Sequence, residues 1–143
     1  MLIDGECHCG NIALALNWPG TPRDIAARAC TCSFCVQHGG VWVADANAEL
    51  VVTLRDGALV SKYEFGTRTA SFHVCSRCGV VPFVTSDIDH RLYAVVNVNV
   101  LVHLDPSSVR RSSATFDDED LEARLLRRRR NWIGSVHVTV REF

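Results

Sequence analysis

Hydrophobic and polar residues alternate over much of the chain, in short runs separated by turn-forming residues. In the segment NIALALN, Ile12, Leu14 and Leu16 would share one face of a strand. Further runs rich in β-branched or aromatic residues are Val41–Ala44, Leu50–Leu54, Leu59–Phe65, Thr69–Val74, Val80–Thr85, Arg91–Val100 and Ser135–Val140. This pattern predicts a mainly β fold built from short antiparallel strands.

Glycine and proline refine the strand prediction. The dipeptide Asp56-Gly57 favours a hairpin turn, and the strand candidates Leu59–Phe65 and Thr69–Val74 are joined around Gly66. Pro82 has no N–H to donate to a strand ladder, so its segment is expected at a sheet edge or a bulge.

The segment DDEDLEARLLRR predicts a helix near the end of the chain. Acidic residues would occupy its first turn and arginines its last, which suits the helix dipole. Asp120 and Arg124 have i, i+4 spacing, and Leu121 and Leu125 would share a face. A second short helix is expected within Thr21–Ala29, so the mainly β fold would contain one or two short helices.

Length and charge restrict the class of protein. The 143 residues fit a single domain spanning 1–143, which would bury roughly 68–70% of its unfolded-chain surface. The formal net charge is -1, so no nucleic-acid partner is expected. The basic run Arg127–Arg130 would be either a solvated helix end or a surface for an acidic partner.

The sequence gives no indication of a membrane protein. No apolar run approaches the ~18–20 residues that cross a bilayer. The N-terminal MLIDGECHCG lacks a basic region followed by an apolar stretch, so we expect no secretory signal and a cytoplasmic location. The sequence leaves the oligomeric state open.

The seven cysteines are the most informative residues for function. Their number is odd, so disulfides alone cannot use them all, and a reducing cytosol would keep them as thiols. They occur in three groups: Cys7/Cys9, Cys30/Cys32/Cys35 and Cys75/Cys78. This grouping predicts metal binding.

The two cysteine pairs suit a structural zinc site. Cys7/Cys9 and Cys75/Cys78 are short, turn-like and each followed by glycine, which permits a tight backbone. Two such pairs can form one tetrahedral site with four cysteine ligands. We expect this site to link the N-terminus to the middle of the sheet and to be purely structural.

The remaining triplet, Cys30, Cys32 and Cys35, leaves two alternatives. Three thiolates on one zinc ion would leave a fourth position free for chemistry. Alternatively His38, three residues after Cys35, could close the site as a fourth ligand. The other histidines are expected to be surface or strand residues: His8, His73, His90, His103 and His137.

An open three-cysteine zinc would favour thiol chemistry. Three thiolates and Zn²⁺ carry a net charge of -1, which makes the ion a poor Lewis acid for generating hydroxide. The ion can still bind and deprotonate a soft thiol. A zinc deaminase is disfavoured because the H-x-E and P-C-x-x-C motifs are absent.

Three segments resemble, in order, the motifs of the glutathione-dependent formaldehyde-activating enzyme family, which shares its domain with centromere protein V. They are GECHCGNI, CTCSFCVQHGG and FHVCSRCGVVPFV, and the late RRNWIG resembles the end of many bacterial members. The resemblance implies a zinc-stapled β-tent fold. It also implies that Cys7, Cys9, Cys75 and Cys78 hold a structural zinc. A second zinc would be held by Cys30, Cys32 and Cys35, which would be the catalytic residues.

The resemblance also implies an activity. The family condenses formaldehyde with glutathione to S-(hydroxymethyl)glutathione, formally as a carbon–sulfur lyase, so a small thiol and a small aldehyde would be the partners. Thr31, Val36 and Gln37 depart from the histidine and basic residues of many members. The two carboxylates of glutathione need cationic or N–H partners, for which the sequence offers Lys62, Arg68 and Arg77.

A second interpretation is a non-catalytic module. Similar β-tent zinc folds can serve as partner-recognition domains, and the basic run Arg127–Arg130 would suit an acidic partner.

Overall fold

The computed structural model describes residues 1–141, which form eleven strands and two short helices. The strands are β1 (Leu2–Glu6), β2 (Ile12–Asn17), β3 (Ile25–Cys30), β4 (Val41–Val43), β5 (Glu49–Leu54), β6 (Val60–Tyr63), β7 (Ser71–Cys75), β8 (Phe83–Ile88), β9 (Arg91–Asn97), β10 (Val109–Ala114) and β11 (Ser135–Val140). The helices are α1 (Ser33–His38) and α2 (Leu121–Asn131). The prediction of a mainly β fold with short helices is confirmed.

The strands form two sheets. The smaller has four strands in the order β1-β2-β5-β11, and the larger has seven in the order β10-β3-β4-β9-β8-β7-β6. Most neighbours are antiparallel, as predicted, but β11 pairs with β5 and β10 pairs with β3 in parallel. Both parallel strands come late in the chain and lie at a sheet edge, where a long connection allows parallel pairing.

The larger sheet is apolar on both faces. Its inner face carries Val43, Phe83 and Val96, which belong to the same buried cluster as the smaller sheet. Ile12, Leu14 and Leu16 of β2 belong to that cluster too, so their predicted shared face is confirmed.

The outer face of the larger sheet forms a second buried cluster. Successive side chains of a strand point to opposite faces of the sheet. The sequence neighbours of the three inner-face residues therefore lie on the outer face: Trp42, Val84 and Val95. Trp132, at the end of α2, packs into this second cluster. The sheet therefore has two separate environments, one enclosed between the sheets and one covered by α2.

The expected helix within Thr21–Ala29 is wrong. Ile25–Cys30 forms β3, which lies between β10 and β4. Ile25 and Ala27 are buried and alternate with more exposed residues, so pairing on both sides determines the strand despite its three alanines.

The turn prediction at Asp56 and the edge-strand prediction at Pro82 also need correction. Asp56 does not start a hairpin: its carboxylate accepts the Ala58 N–H at 3.0 Å and begins a 3-10 turn that leads from one sheet to the other. Pro82 lies immediately before β8, which is an interior strand and not an edge strand. β6 and β7 are joined around Gly66, as expected; they pair antiparallel, and Gly66 has a φ of 62°.

The predicted C-terminal helix is present but begins later than its acidic run. Asp120 is the N-cap and accepts the Ala123 N–H at 2.7 Å, so the preceding acidic residues lie outside the helix. Arginines occupy the last turn, as predicted. Within residues 1–141, no helix is long and apolar enough to cross a bilayer.

Candidate metal centres

The two cysteine pairs meet in one cluster, which we call the four-cysteine cluster. The sulfurs of Cys7, Cys9, Cys75 and Cys78 all lie within 4.8 Å of one another. Cys7 and Cys9 Sγ are 3.7 Å apart, and Cys9 and Cys75 Sγ are 3.5 Å apart. A tetrahedral zinc bound at roughly 2.3 Å holds its sulfurs about 3.8 Å apart, so these residues fit a zinc ion.

The backbone on each side of the cluster has the same form. The Gly10 N–H donates to the Cys7 carbonyl at 2.9 Å, and the Gly79 N–H donates to the Cys75 carbonyl at 2.7 Å. Gly10 and Gly79 have φ values of 83° and 82°, a left-handed region that favours glycine. The Ile12 N–H also donates to Cys7 Sγ at 3.3 Å. Both turns therefore direct two sulfurs and nearby N–H groups to the same point.

The four-cysteine cluster lies between the sheets. Cys7 follows β1 of the smaller sheet, Cys75 ends β7 of the larger sheet, and both belong to the inner-face core and are fully buried. An ion held there would link the two sheets. The expected link from the N-terminus to the middle of a single sheet is therefore corrected.

The thiols of this cluster ionise unequally. Burial raises the pKa of Cys7 to about 12. Burial acts in the same direction on Cys78, but backbone N–H groups of Val80 and Cys9 and the neighbouring thiols outweigh it and lower the pKa of Cys78 to about 6. A cation entering the cluster would release the remaining protons.

The triplet forms a second group, which we call the three-cysteine cluster. The sulfurs of Cys30, Cys32 and Cys35 lie within 4.8 Å of one another. Cys30 is the last residue of β3, and Cys32 is the N-cap of α1. The sulfur of Cys32 accepts the Cys35 N–H at 3.4 Å. Cys35 Sγ accepts the indole N–H of Trp42 at 3.4 Å. The end of a strand and the first turn of a helix thus bring three sulfurs together.

The thiols of Cys30 and Cys35 in the three-cysteine cluster have very different pKa values. A hydrogen bond from the Cys35 thiol lowers the pKa of Cys30 to about 6, against the effect of burial. The same hydrogen bond, together with burial, raises the pKa of Cys35. One thiolate therefore forms readily near neutral pH, which suits capture of a soft cation.

His38 lies beside this cluster without joining it. Among the described residues, only the three cysteines have ligand atoms in the 4.8 Å group. The His38 ring centroid is 4.5 Å from that of Phe34 and 5.8 Å from that of Trp42, and its buried Nε2 has no hydrogen-bond partner in residues 1–141. This geometry favours the open alternative over the closed one.

A cavity of about 800 Å³ opens onto the three-cysteine cluster. All three cysteines line it, together with Trp42 and Phe72 of the larger sheet. Its charged lining residues are Arg28, Arg124, Arg127, Arg128, Arg130, Asp45 and Asp117. The cavity is therefore apolar at the sheet and mainly cationic elsewhere.

Sequence reasoning missed these arginines. The candidates that it offered for carboxylate recognition, Lys62, Arg68 and Arg77, are not among the described residues that line the cavity. The prediction of a solvated helix end is wrong for Arg128, which is buried. The available signal was spacing: Leu125, Arg128 and Trp132 lie at i, i+3 and i+7, on one face of a helix.

Comparisons with known proteins bear on the whole arrangement. The family model described as "Glutathione-dependent formaldehyde-activating enzyme" matches residues 2–117. A crystal structure of a Rhodobacter sphaeroides protein is similar, with 27% sequence identity and a TM-score of 0.54. That similarity covers 76% of this chain and 99% of the Rhodobacter chain. Both cysteine clusters lie inside the matched range, whereas α2 lies beyond it.

Proposed function

The chain belongs to the glutathione-dependent formaldehyde-activating enzyme family, and on this premise we propose that it condenses a thiol with a small aldehyde. The thiol would be glutathione or a related compound, and the aldehyde formaldehyde or a close homologue. The activity would be that of a carbon–sulfur lyase, written in the direction of S-(hydroxymethyl)glutathione formation. The observation that carries the proposal is the opening of the three-cysteine cluster into a cavity of about 800 Å³.

We further propose two zinc ions per chain. Cys7, Cys9, Cys75 and Cys78 would hold a structural ion, because four sulfurs complete a tetrahedron. Cys30, Cys32 and Cys35 would hold the second ion, which, when bound, would leave one position open and lower the pKa of an incoming thiol.

The chain's own residues would position the reactants. The cavity falls within the roughly 300–1,000 Å³ typical of ligand sites, so it has room for a tripeptide thiol. Trp42 and Phe72 would exclude water from the sulfur. Trp42 also donates to Cys35 Sγ, which would hold that ligand in a fixed orientation.

The proposed reaction is a simple addition. The thiol sulfur forms a bond to the aldehyde carbon, the C=O π bond breaks, and the thiol proton ends on the aldehyde oxygen. Orientation of the two reactants in one cavity would supply much of the rate enhancement. Because thiols add to formaldehyde without help, the enzyme needs only a modest acceleration.

The proposal includes a reducing location such as the cytoplasm. All seven cysteines are free thiols, and both clusters need them unoxidised to hold a metal. The non-catalytic alternative, a partner-recognition module, explains the four-cysteine cluster but gives no role to the cavity beside the other three cysteines.

A substrate screen with a metal-free control tests the activity. Small aldehydes are mixed with several thiols, and adduct formation is followed by NMR exchange spectroscopy with zinc-loaded and zinc-stripped protein. We expect the zinc-loaded protein alone to accelerate formation of the glutathione adduct above the unaided rate. Equal rates with loaded, stripped and no protein, for every pair, would refute the enzymatic function.

A second measurement tests thiol binding separately. Cobalt would replace zinc in the three-cysteine cluster, and glutathione would be titrated while the visible spectrum is recorded. We expect a change in the cobalt absorption that Cys32→Ser abolishes. A spectrum unchanged by any thiol would show that no substrate sulfur reaches the cluster.

A further inference from the structure

Arg128 is a buried cation that has no anionic partner in the described part of the chain. Its side chain lies on α2, is 7% exposed and lines the cavity of the three-cysteine cluster. Its Nη1 donates to the hydroxyls of Thr69 at 2.8 Å and Ser86 at 3.2 Å. Its Nε is buried and has no hydrogen-bond partner within residues 1–141. A buried polar group left without a partner is costly, so this N–H indicates a ligand.

Neighbouring charges increase the positive potential around Arg128. Arg124, Arg127 and Arg130 line the same cavity. Arg127 donates two hydrogen bonds to Glu119, at 2.8 and 3.0 Å. Arg124 reaches the same carboxylate only at 3.7 Å, which is an ion pair but too long for a hydrogen bond. One carboxylate therefore offsets a group of several arginines.

The remaining charges of the cavity do not neutralise this group. Asp45 and Asp117 line the cavity, but neither pairs with Arg128 in residues 1–141, and Arg130 forms no ion pair with any described residue. Burial, and then the nearby Arg127 and Arg124, lower the pKa of Arg128 to about 10. Glu119 acts in the opposite direction, but its effect is the smallest of these, so the charge of the buried guanidinium is only partly compensated.

A purely structural role explains only part of this arrangement. Arg128 does attach α2 to Ser86 of β8 and to Thr69 just before β7, and its Cζ lies 5.0 Å from the ring centroid of Trp132 at the end of its own helix. A neutral side chain could make such contacts without the cost of burying a charge. The unpartnered Nε and the surplus of arginines are left unexplained unless an anion enters the cavity.

We infer that Arg128, supported by Arg124 and Arg130, is a specificity-determining subsite that binds a carboxylate of the thiol substrate. This inference rests on the proposed function for the position of the thiol, and it assigns recognition of the carboxylate to arginines of α2 that line the cavity. The residues involved lie in α2, outside residues 2–117 that the family model matches.

Three ligands distinguish the contribution of the carboxylates to binding from that of the thiol. Glutathione has both groups, S-methylglutathione keeps the carboxylates but has no free thiol, and glutathione diethyl ester keeps the thiol but masks the carboxylates. Their dissociation constants would be measured by calorimetry on zinc-loaded wild type, Arg128→Gln, Arg130→Gln and Arg129→Gln. Arg129 is the matched control, since it pairs with Asp89 at 2.6 Å and does not line the cavity.

We expect Arg128→Gln to weaken binding of glutathione and S-methylglutathione by roughly 10- to 100-fold, as loss of a charge-assisted hydrogen bond predicts. Binding of the diethyl ester should change little, and Arg129→Gln should bind all three as wild type does. Arg130→Gln, at an exposed position, should weaken the two carboxylate ligands severalfold, and it serves as the test if Arg128→Gln does not fold.

Two results would overturn the inference. One is wild-type binding of S-methylglutathione by every folded variant, and the other is a diethyl ester that binds wild type as tightly as glutathione. Failure of the proposed function is a different result. If no thiol changes the cobalt spectrum while binding of S-methylglutathione still requires Arg128, the anion subsite is supported and the thiol chemistry is refuted.

Discussion

Replacing one cysteine in each cluster should separate a structural site from a reactive one. Cys75→Ser removes a fully buried thiol of the four-cysteine cluster, a proposed ligand at the junction of the two sheets. Cys32→Ser removes a half-buried thiol of the three-cysteine cluster, a proposed ligand that lines the cavity. We expect Cys75→Ser to unfold or precipitate, whereas Cys32→Ser should keep the fold and lose the second metal ion.

The magnitudes differ because the two sites hold different elements together. A structural zinc contributes roughly 10–16 kcal/mol in small zinc modules, and a domain is stable by only ~5–15 kcal/mol. Losing even ~5 kcal/mol would lower the melting temperature by roughly 10–20 °C in a protein of this size. Serine at 75 would also bury a hydroxyl among apolar neighbours, at a cost of about 1–3 kcal/mol.

Position 32 is more tolerant for a local reason. Cys32 is the N-cap of α1 and accepts the Cys35 N–H through its sulfur. Serine is a preferred N-cap residue, so its hydroxyl can accept the same N–H and preserve the helix start. The three-cysteine cluster joins β3 to the adjacent α1, so its ion links elements that are already neighbours in sequence.

Both variants would be expressed beside wild type and compared by circular dichroism, thermal melting and zinc content per chain. Zinc-stripped wild type is the control that distinguishes loss of metal from the substitution itself. The reasoning fails if Cys32→Ser unfolds as readily as Cys75→Ser, because the three-cysteine cluster would then be structural as well.

Two further predictions concern the proposed metal sites, and a third concerns the packing of the aromatic rings beside the three-cysteine cluster. During graded chelation followed by elemental analysis, the ion at the three-cysteine cluster should leave first, and simultaneous loss of both ions would contradict the different coordination proposed for them. His38→Ala should leave the zinc stoichiometry unchanged, since His38 lies outside the 4.8 Å group, whereas loss of one zinc would show that it is a ligand. Gly40→Ala should destabilise the fold by about 1–3 kcal/mol in chemical denaturation, because its Cβ would lie 2.6 Å from the Trp42 ring and 2.8 Å from the His38 ring. An unchanged denaturation midpoint would show that these rings move aside freely.

The grouping of the cysteines could be predicted from the sequence because it depends mostly on short spacings. Cys30, Cys32 and Cys35 are brought together by one strand end and one helical turn. The long-range contact between the pairs Cys7/Cys9 and Cys75/Cys78 was predictable only because a tetrahedral zinc needs four ligands and each pair supplies two. The sequence did not indicate that the pairs belong to different sheets, since local patterns carry no information on which strands become neighbours.

The errors in the strand predictions have the same origin. β3 contains three alanines and reads locally as helix, yet it forms a strand because β4 and β10 supply partners on both sides. β1, β10 and α1 were missed: β1 contains Asp4 and Gly5, residue types that are rare in strands, β10 is mostly exposed, and α1 is only six residues long. The parallel partners of β3 and β5 come from late in the chain, where no turn sets the register.

The larger sheet explains how one small chain can separate stability from chemistry. Cys75 belongs to the inner-face cluster and Cys35 to the outer-face cluster, so the two proposed metal sites lie in different packing environments. Changes at the outer face can therefore alter ligand recognition without disturbing the link between the sheets. The arginines of α2 cover that outer face from a segment beyond the family match. In this arrangement the three-cysteine cluster would determine the chemistry, while the arginines of α2 would determine which thiol is accepted.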